Sequence, residues 1–280
     1  MTTLFPPSSP TLPEFRTLLV DGNYHPSAPI HLCVSHLAQS DGKQAILLYP
    51  SRAKFTSALK ESNDGWLNQH GGEGAFSQHT RNVQVLYPPT TVHLTFLLSM
   101  LHKAQKSDKD DFIRKTTFAA TPSLIMLCEP SAYLSGNPDA TIASYLSLLS
   151  HAFSCVSSLS QTPNTSVSLA VFDSGLTNLK LPILPPLHME ELEKQGEREA
   201  KEKQIEYQPD TTPKSIPIPF LAYKYFELVG TFEDDHENNH STSRSRIFKL
   251  VRPDSGTEEL SWKWRERRDQ EPDGVAFTWT

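Results

Sequence analysis

Residues 16–30 read R-T-L-L-V-D-G-N-Y-H-P-S-A-P-I, an apolar strand running into a helix, where many nucleotide-binding α/β proteins carry a phosphate loop. A phosphate cradle needs G-x-x-x-x-G-K-[ST], because successive backbone N–H groups, a Lys and a Mg²⁺-holding hydroxyl must converge on the phosphates. Here Gly22 stands alone, Pro26 and Pro29 carry no N–H, Asp21 adds a repelling charge, and no Lys-Ser or Lys-Thr follows. The second requirement of such hydrolases is an acid ending a central apolar strand, to hold Mg²⁺ and orient water. Cys128 and Glu129 stand there, and a thiol is a poor ligand for that hard cation. These residues predict a nucleotide-hydrolase type of α/β fold that has lost hydrolysis, with no catalytic residue, no cofactor and no metal.

A second candidate site is W-K-W-R-E-R-R at 262–268. In a strand, Lys263, Arg265 and Arg267 share one face while Trp262 and Trp264 take the other. With Lys249 and Arg252 on a neighbouring strand, they form a cationic row suited to a phosphate backbone. The competing reading puts the tryptophans in the core and leaves the basic face solvated, its charge diluted by Glu258, Glu259 and Glu266. His236 and His240 lie beside Asp234 and Asp235, but without the further spacing of a metal site. No G-x-S-x-G elbow supports Ser/His/Asp catalysis, and Asp173-Ser174-Gly175 reads as a strand-ending turn.

The chain has 280 residues, 37% hydrophobic residues and a net charge of −6, which excludes a globally basic nucleic-acid binder. Cys33, Cys128 and Cys155 are far apart in apolar runs and read as core residues. There is no signal-like start and no obvious bilayer-spanning run, so a soluble, intracellular protein with no membrane partner is expected.

Residues 1–14 read as a disordered Pro/Ser/Thr tail, 15–185 as the core, 186–215 as a charged, flexible insert, and 216–280 as strands completing the same domain. Strands are expected at 17–20, 45–49, 83–86, 124–127 and 167–172, separated by helices at 30–37, 55–59, 92–101 and 141–159. Ser27 is the expected cap of the first helix, and residues 63–81 read as a mobile loop. This alternation predicts a mainly parallel sheet in a three-layer α/β fold, and 220–232, 246–252, 260–268 and 275–279 predict an antiparallel C-terminal extension.

Three stretches then carry a family resemblance: L-Y-P-P-T-T at 86–91 opening an apolar helix, P-S-L-I-M-L at 122–127, and A-S-Y-L-S-L-L at 143–149. Together they resemble the ATPase-like partner of the SWIM-domain protein in Shu-type recombination complexes, a RecA-like relative of the recombinase. The resemblance covers roughly residues 17–180 and, more faintly, the Trp-rich C-terminal strands. It implies a RecA-like fold and a nuclear, non-catalytic adaptor in homologous recombination and DNA repair. The implied partners are a SWIM-domain zinc protein, a RecA-family recombinase and single-stranded DNA. Phe55-Thr56-Ser57-Ala58 has the F-x-x-A form with which recombinases and their partners dock Phe and Ala, making Phe55 and Ala58 candidate partner contacts. The simpler reading packs Phe55 against Leu59 on a helix. The degenerate loop equally fits a RecA-like scaffold of a tRNA-modifying, Elongator-type assembly, and a weak ATPase with an unconventional phosphate site remains a third reading.

Overall fold

The computed structural model describes residues 2–7, 9–39, 43–103, 117–118, 121–161, 166–183, 215–235, 243–253, 259–268 and 274–279. The expected charged insert, the His236/His240 pair and Glu258 lie outside the described residues, apart from Ser215 at the insert's edge.

The core elements run β1 (Thr17–Gly22), α1 (Ala28–Leu37), β2 (Ala45–Leu48), α2 (Arg52–Ser62), α3 (Gly65–His70), α4 (Gly74–Arg81), β3 (Val83–Leu86) and α5 (Thr91–Met100). After the short β4 (His102–Lys103) and β5 (Thr117–Phe118) come β6 (Leu124–Cys128), α6 (Ile142–Leu159) and β7 (Ser168–Asp173). A small hairpin of β8 (Lys180–Pro182) and β9 (Ser215–Pro217) leads to α7 (Pro219–Ala222) and β10 (Leu228–Asp234). The last three strands are β11 (Ser243–Val251), β12 (Glu259–Arg268) and β13 (Val275–Trp279).

Nine strands form one sheet in the order β13-β12-β11-β10-β1-β7-β6-β2-β3. From β10 to β3 every pairing is parallel, and β10 to β13 pair antiparallel, so the mainly parallel sheet with an antiparallel extension is present. The reason is legible in the residues. β6 (L-I-M-L-C) and β7 (S-L-A-V-F-D) are buried at every position, as strands covered on both faces must be. Alternation sorts their side chains into two cores. Leu19, Ile125, Leu127 and Val171 meet α5 and α6 on one face, while Leu18, Val20, Met126 and Phe172 meet α1 and Phe55 on the other.

Local chemistry fixes the helix ends. Ser51, Thr90 and Thr141 accept backbone N–H groups at the starts of α2, α5 and α6, with a reciprocal bond from Ser144 in the last case. The free energy of α6 comes mainly from burial, since Tyr145, Leu148, Leu149, Ala152 and Leu159 all enter the core. Its 18 residues, of mean hydropathy 1.3, are long and apolar enough to cross a membrane, contrary to the sequence expectation. Here those apolar positions cover β6 and β7 instead.

Four local expectations fail for identifiable reasons. Residues 1–14 are not an unpacked tail: Leu4, Phe5 and Leu12 are buried, and Phe5 lies 4.9–6.1 Å from the ring centroids of Trp264, Trp279, Phe277 and Phe232. The antiparallel strands offer an aromatic face, and the N-terminal segment covers it. Residues 63–81 hold two helices rather than a loop, because Asp64 caps α3 through the Leu67 N–H and Trp66 packs with His31, His70 and Phe76. The strand expected over 220–232 starts only at Leu228, since Pro219 favours the first turn of α7. Ser27 stands at the start of α1 but makes no capping bond, its hydroxyl being used elsewhere.

Candidate functional site: the carboxyl edge of the parallel sheet

In open α/β sheets, ligands bind beyond the carboxyl ends of the strands, where neighbouring strands send their connections in opposite directions. Here β1 leads through α1 on one face and β7 leads away along the other. The carboxylates Asp21, Asp173 and Glu129 converge at that point, at the ends of β1 and β7 and just after β6.

The loop after β1 is built to close on itself. Gly22 has φ +94°, and a Cβ there would stand 2.7 Å from the Phe232 carbonyl oxygen, so only glycine fits beside β10. Tyr24 N–H then donates to the Gly22 carbonyl at 2.8 Å, and Ala28 N–H donates to the His25 carbonyl at 2.8 Å. Ser27 N–H points to His25 Nδ1 at 3.4 Å, while Pro26 and Pro29 have no N–H to offer. Within this loop the Tyr24, Ser27 and Ala28 amides are thus bonded internally, and the two prolines contribute none.

Tyr24 takes the space between the loop after β1 and Glu129. Its ring is buried edge-on to Phe172, with centroids 5.1 Å apart, and its hydroxyl donates to the Glu129 carboxylate. Glu129 accepts as well from Ser174 Oγ at 2.7 Å and Ser174 N–H at 3.3 Å. Burial pushes the Glu129 carboxyl up, opposed by these bonds, and burial with the Glu129 charge pushes the Tyr24 hydroxyl well above its ordinary value. Glu129 also holds the left-handed conformation at φ 54°, unusual for a residue with a Cβ and characteristic of strained sites.

The other two carboxylates are equally occupied. Asp21 accepts from Thr177 Oγ1 at 2.9 and 3.0 Å and from the Tyr223 hydroxyl at 2.6 Å. Asp173, fully buried, accepts from Ser131 N–H at 3.0 Å, Ser131 Oγ, Gly175 N–H at 3.2 Å and the Tyr145 hydroxyl at 3.3 Å. Burial, and then the nearby Glu129 charge, push Asp173 up to about 7. Cys128 is fully buried and its thiol is raised well above the ordinary value by desolvation, so it stays neutral. Among the described residues no group of three His, Cys, Asp or Glu side chains is arranged to hold a metal ion. The edge therefore organises hydrogen bonds within the protein.

No family model matches this chain, and no curated protein matches it. Its site must be read from its own geometry.

Beside Glu129 lies a cleft of about 530 Å³, lined by Tyr49, Ser51, Lys54, Thr90, Tyr133 and Ser174 among others. Lys54, the cation that lines this cleft, rides on α2 rather than on the loop after β1.

The other sequence candidates separate. Phe55 is buried and stacked on Tyr49 at 4.7 Å, so the expected F-x-x-A contact of Phe55 with Ala58 is not presented to a partner. Core packing on the α1 face takes the ring instead. Arg252, expected on the neighbouring strand, lies just past the end of β11, but Lys263, Arg265, Arg267 and Lys249 do form a row on one face, with Trp262 and Trp264 on the other, Trp264 fully buried. It is extensively neutralised: Lys249 pairs with Glu233 at 2.8 Å, Arg252 with Glu227 at 3.5 Å, and Lys263 with Asp235. Arg265 and Arg267 are exposed to solvent.

Sequence reasoning missed Tyr24 as the occupant and missed a second buried network. Ser27 Oγ donates to Asp64 Oδ2 at 2.5 Å, His31 Nε2 lies 2.8 Å from the same oxygen, and His25 Nδ1 lies 2.7 Å from Ser27 Oγ. Nothing in the sequence brings Asp64 to this loop. The available signal was a loop carrying Tyr and His where a phosphate cradle would carry Gly and Lys.

The raised Asp173 has a defined consequence. The folded chain holds its proton between its ordinary value of 3.8 and about 7, where the unfolded chain has released it. Stability drawn from that proton is full at low pH and lost as pH rises through 7. Asp173→Asn should flatten this slope, the difference from wild type changing by up to about 4 kcal/mol between pH 4 and 8. Urea unfolding across that range measures it, and parallel pH profiles would contradict the assignment.

Proposed function

We propose that this chain is a RecA-like adaptor that no longer uses nucleotide and works by holding a protein partner in homologous recombination. The single observation that carries the reading is Tyr24, whose ring fills the position between the closed loop and Glu129. Strand order supports a motor-type core. β7 alone separates the loop strand β1 from the acid-bearing strand β6, which would bring a phosphate loop and its catalytic acid to one edge.

The partner face follows from α5 and α6, which lie side by side over the sheet. Neither helix contains Asp, Glu, Lys or Arg. On α5, Val92 is 73% exposed and Phe96 57%, one turn apart. On α6 the outward positions are Ala143, Ser147, Ser150, Ser154, Ser157 and Ser158, whose small side chains let another backbone come close. An uncharged, partly apolar helix pair is unlike a solvated surface and like the centre of a protein interface. In this reading the SWIM-domain zinc protein covers the α5–α6 face, the assembly acts in the nucleus on a RecA-family recombinase, and the partner supplies most contacts to single-stranded DNA.

Affinity purification of the full chain tests this. Wild type should recover the SWIM-domain protein, and Val92→Glu with Phe96→Glu should abolish recovery while leaving the fold intact, since both side chains are exposed. Undiminished recovery by the double variant would reject the interface. Recovery of neither that protein nor a recombinase by wild type would reject the function.

A further inference from the structure

We propose that the outer edge of β13 is a second docking site, which takes an extended peptide segment of another protein as an added strand. The segment would alternate apolar and acidic side chains.

The backbone comes first. Val275 N–H points away from β12 and donates to the Asn63 carbonyl at 2.7 Å, and Asp64 forms an isolated parallel bridge with Val275. Backbone groups alternate sides along a strand, so the N–H and C=O of Phe277 and Trp279 also face outward, while Ala276 and Thr278 face β12. Among the described residues nothing pairs with the outward groups of Phe277 and Trp279. The turn between α2 and α3 thus occupies the first position of this edge and leaves the next two open. Gly274 makes that arrangement possible, because a Cβ on it would meet the Asn63 carbonyl at 2.2 Å.

The strand's own sequence carries little that would keep another strand away. V-A-F-T-W has no charge, no Pro and no bulge. An added strand there would satisfy two donors and two acceptors.

Side chains define the occupant. A cleft of about 290 Å³ runs along this edge, walled by Trp66, Phe277, Trp279, Pro6 and Pro7. Side chains of the incoming strand beside Phe277 and Trp279 would enter it, and an aromatic or branched apolar group fits such walls. On the opposite face stand Ala276 and Thr278, both exposed and small, registered against Arg267 and Arg265. Arg265 is exposed and can reach across Thr278, so a carboxylate on that face of the incoming strand is complementary to it. The site is independent of the α5–α6 face.

The test uses the full chain and fluorescein-labelled octapeptides alternating Val, Phe, Tyr or Trp with Glu. At least one should bind saturably with a Kd of roughly 100 μM or tighter. N-methylation of one alternate set of its amides should weaken binding about tenfold and methylation of the other set should not, because only one set faces the edge. Arg265→Glu should weaken the acidic peptide and favour its Lys counterpart. Absence of saturable binding, equal effects of the two methylation patterns, or displacement by oligothymidine with no effect of either methylation would overturn the proposal.

Discussion

Trp264→Ala is expected to destabilise the protein by about 3–5 kcal/mol, among the largest effects of any single side chain. Trp264 is fully buried where the antiparallel strands meet the N-terminal segment. Its ring lies 4.9 Å from Phe5, 5.5 Å from Phe232 and 5.6 Å from Trp279, and Nε1 donates to Glu266 at 3.2 Å. The buried guanidinium of Arg246 sits 5.9 Å from the ring and pairs with Glu266 at 3.1 Å. Truncation removes the contacts of every partner and leaves a cavity that a sheet face cannot collapse to fill. Phe5 would lose its seat as well, so limited proteolysis should cut the N-terminal segment much earlier in the variant. Trp264→Phe, which keeps most of the apolar volume, should cost less. If Trp264→Ala shifted the urea midpoint only slightly, the N-terminal segment would not be part of this core.

Asp64→Ala is the second large effect, at about 3–5 kcal/mol. One carboxylate accepts from Ser27 Oγ, His31 and Leu67 N–H, all at buried or partly buried positions. Its removal would orphan Ser27 and His31 in a place water does not reach, and would uncap α3. It would also loosen the turn that presents Asn63 to Val275, so loss should spread to β13. The pH dependence runs opposite to that of Asp173. Burial pushes the Asp64 carboxyl up, but the bonds from His31 and Ser27 outweigh it and hold the carboxyl below its ordinary value. Its contribution is present above the unfolded carboxylate value and is lost as pH falls through the lower folded one. The stability difference between wild type and Asp64→Ala should therefore narrow as pH falls through the folded value. Hydrogen exchange should show the β13 amides opening earlier in the variant at neutral pH.

The sheet was readable because its strands are short, continuous apolar runs and its helices repeat at helical spacing. Leu124, Ile125, Met126 and Leu127 can hardly be anything but a strand covered on both faces. The missing N–H donors at Pro26 and Pro29 were readable too. What filled the gap was not. Tyr24 reaching Glu129, and Ser27 reaching Asp64, join residues 105 and 37 positions apart, and no local pattern encodes such pairs. The N-terminal segment misled for a related reason: its Leu4, Phe5 and Leu12 are scattered among prolines and serines without period, yet each finds an aromatic or aliphatic wall built by strands far along the chain. The basic row was placed on its face correctly, but the carboxylates that neutralise it come from β10 and from the turns beside it. Charge along one strand says little about charge across a sheet.

Equilibrium titration of the full chain with Mg·ATP tests the central claim most directly. With Tyr24 bonded to Glu129 and the Tyr24, Ser27 and Ala28 amides bonded within the loop, no saturable binding should appear up to roughly 1 mM, the weak end of the affinity scale. Saturable, magnesium-dependent binding that displaces Tyr24 from Glu129 would contradict it.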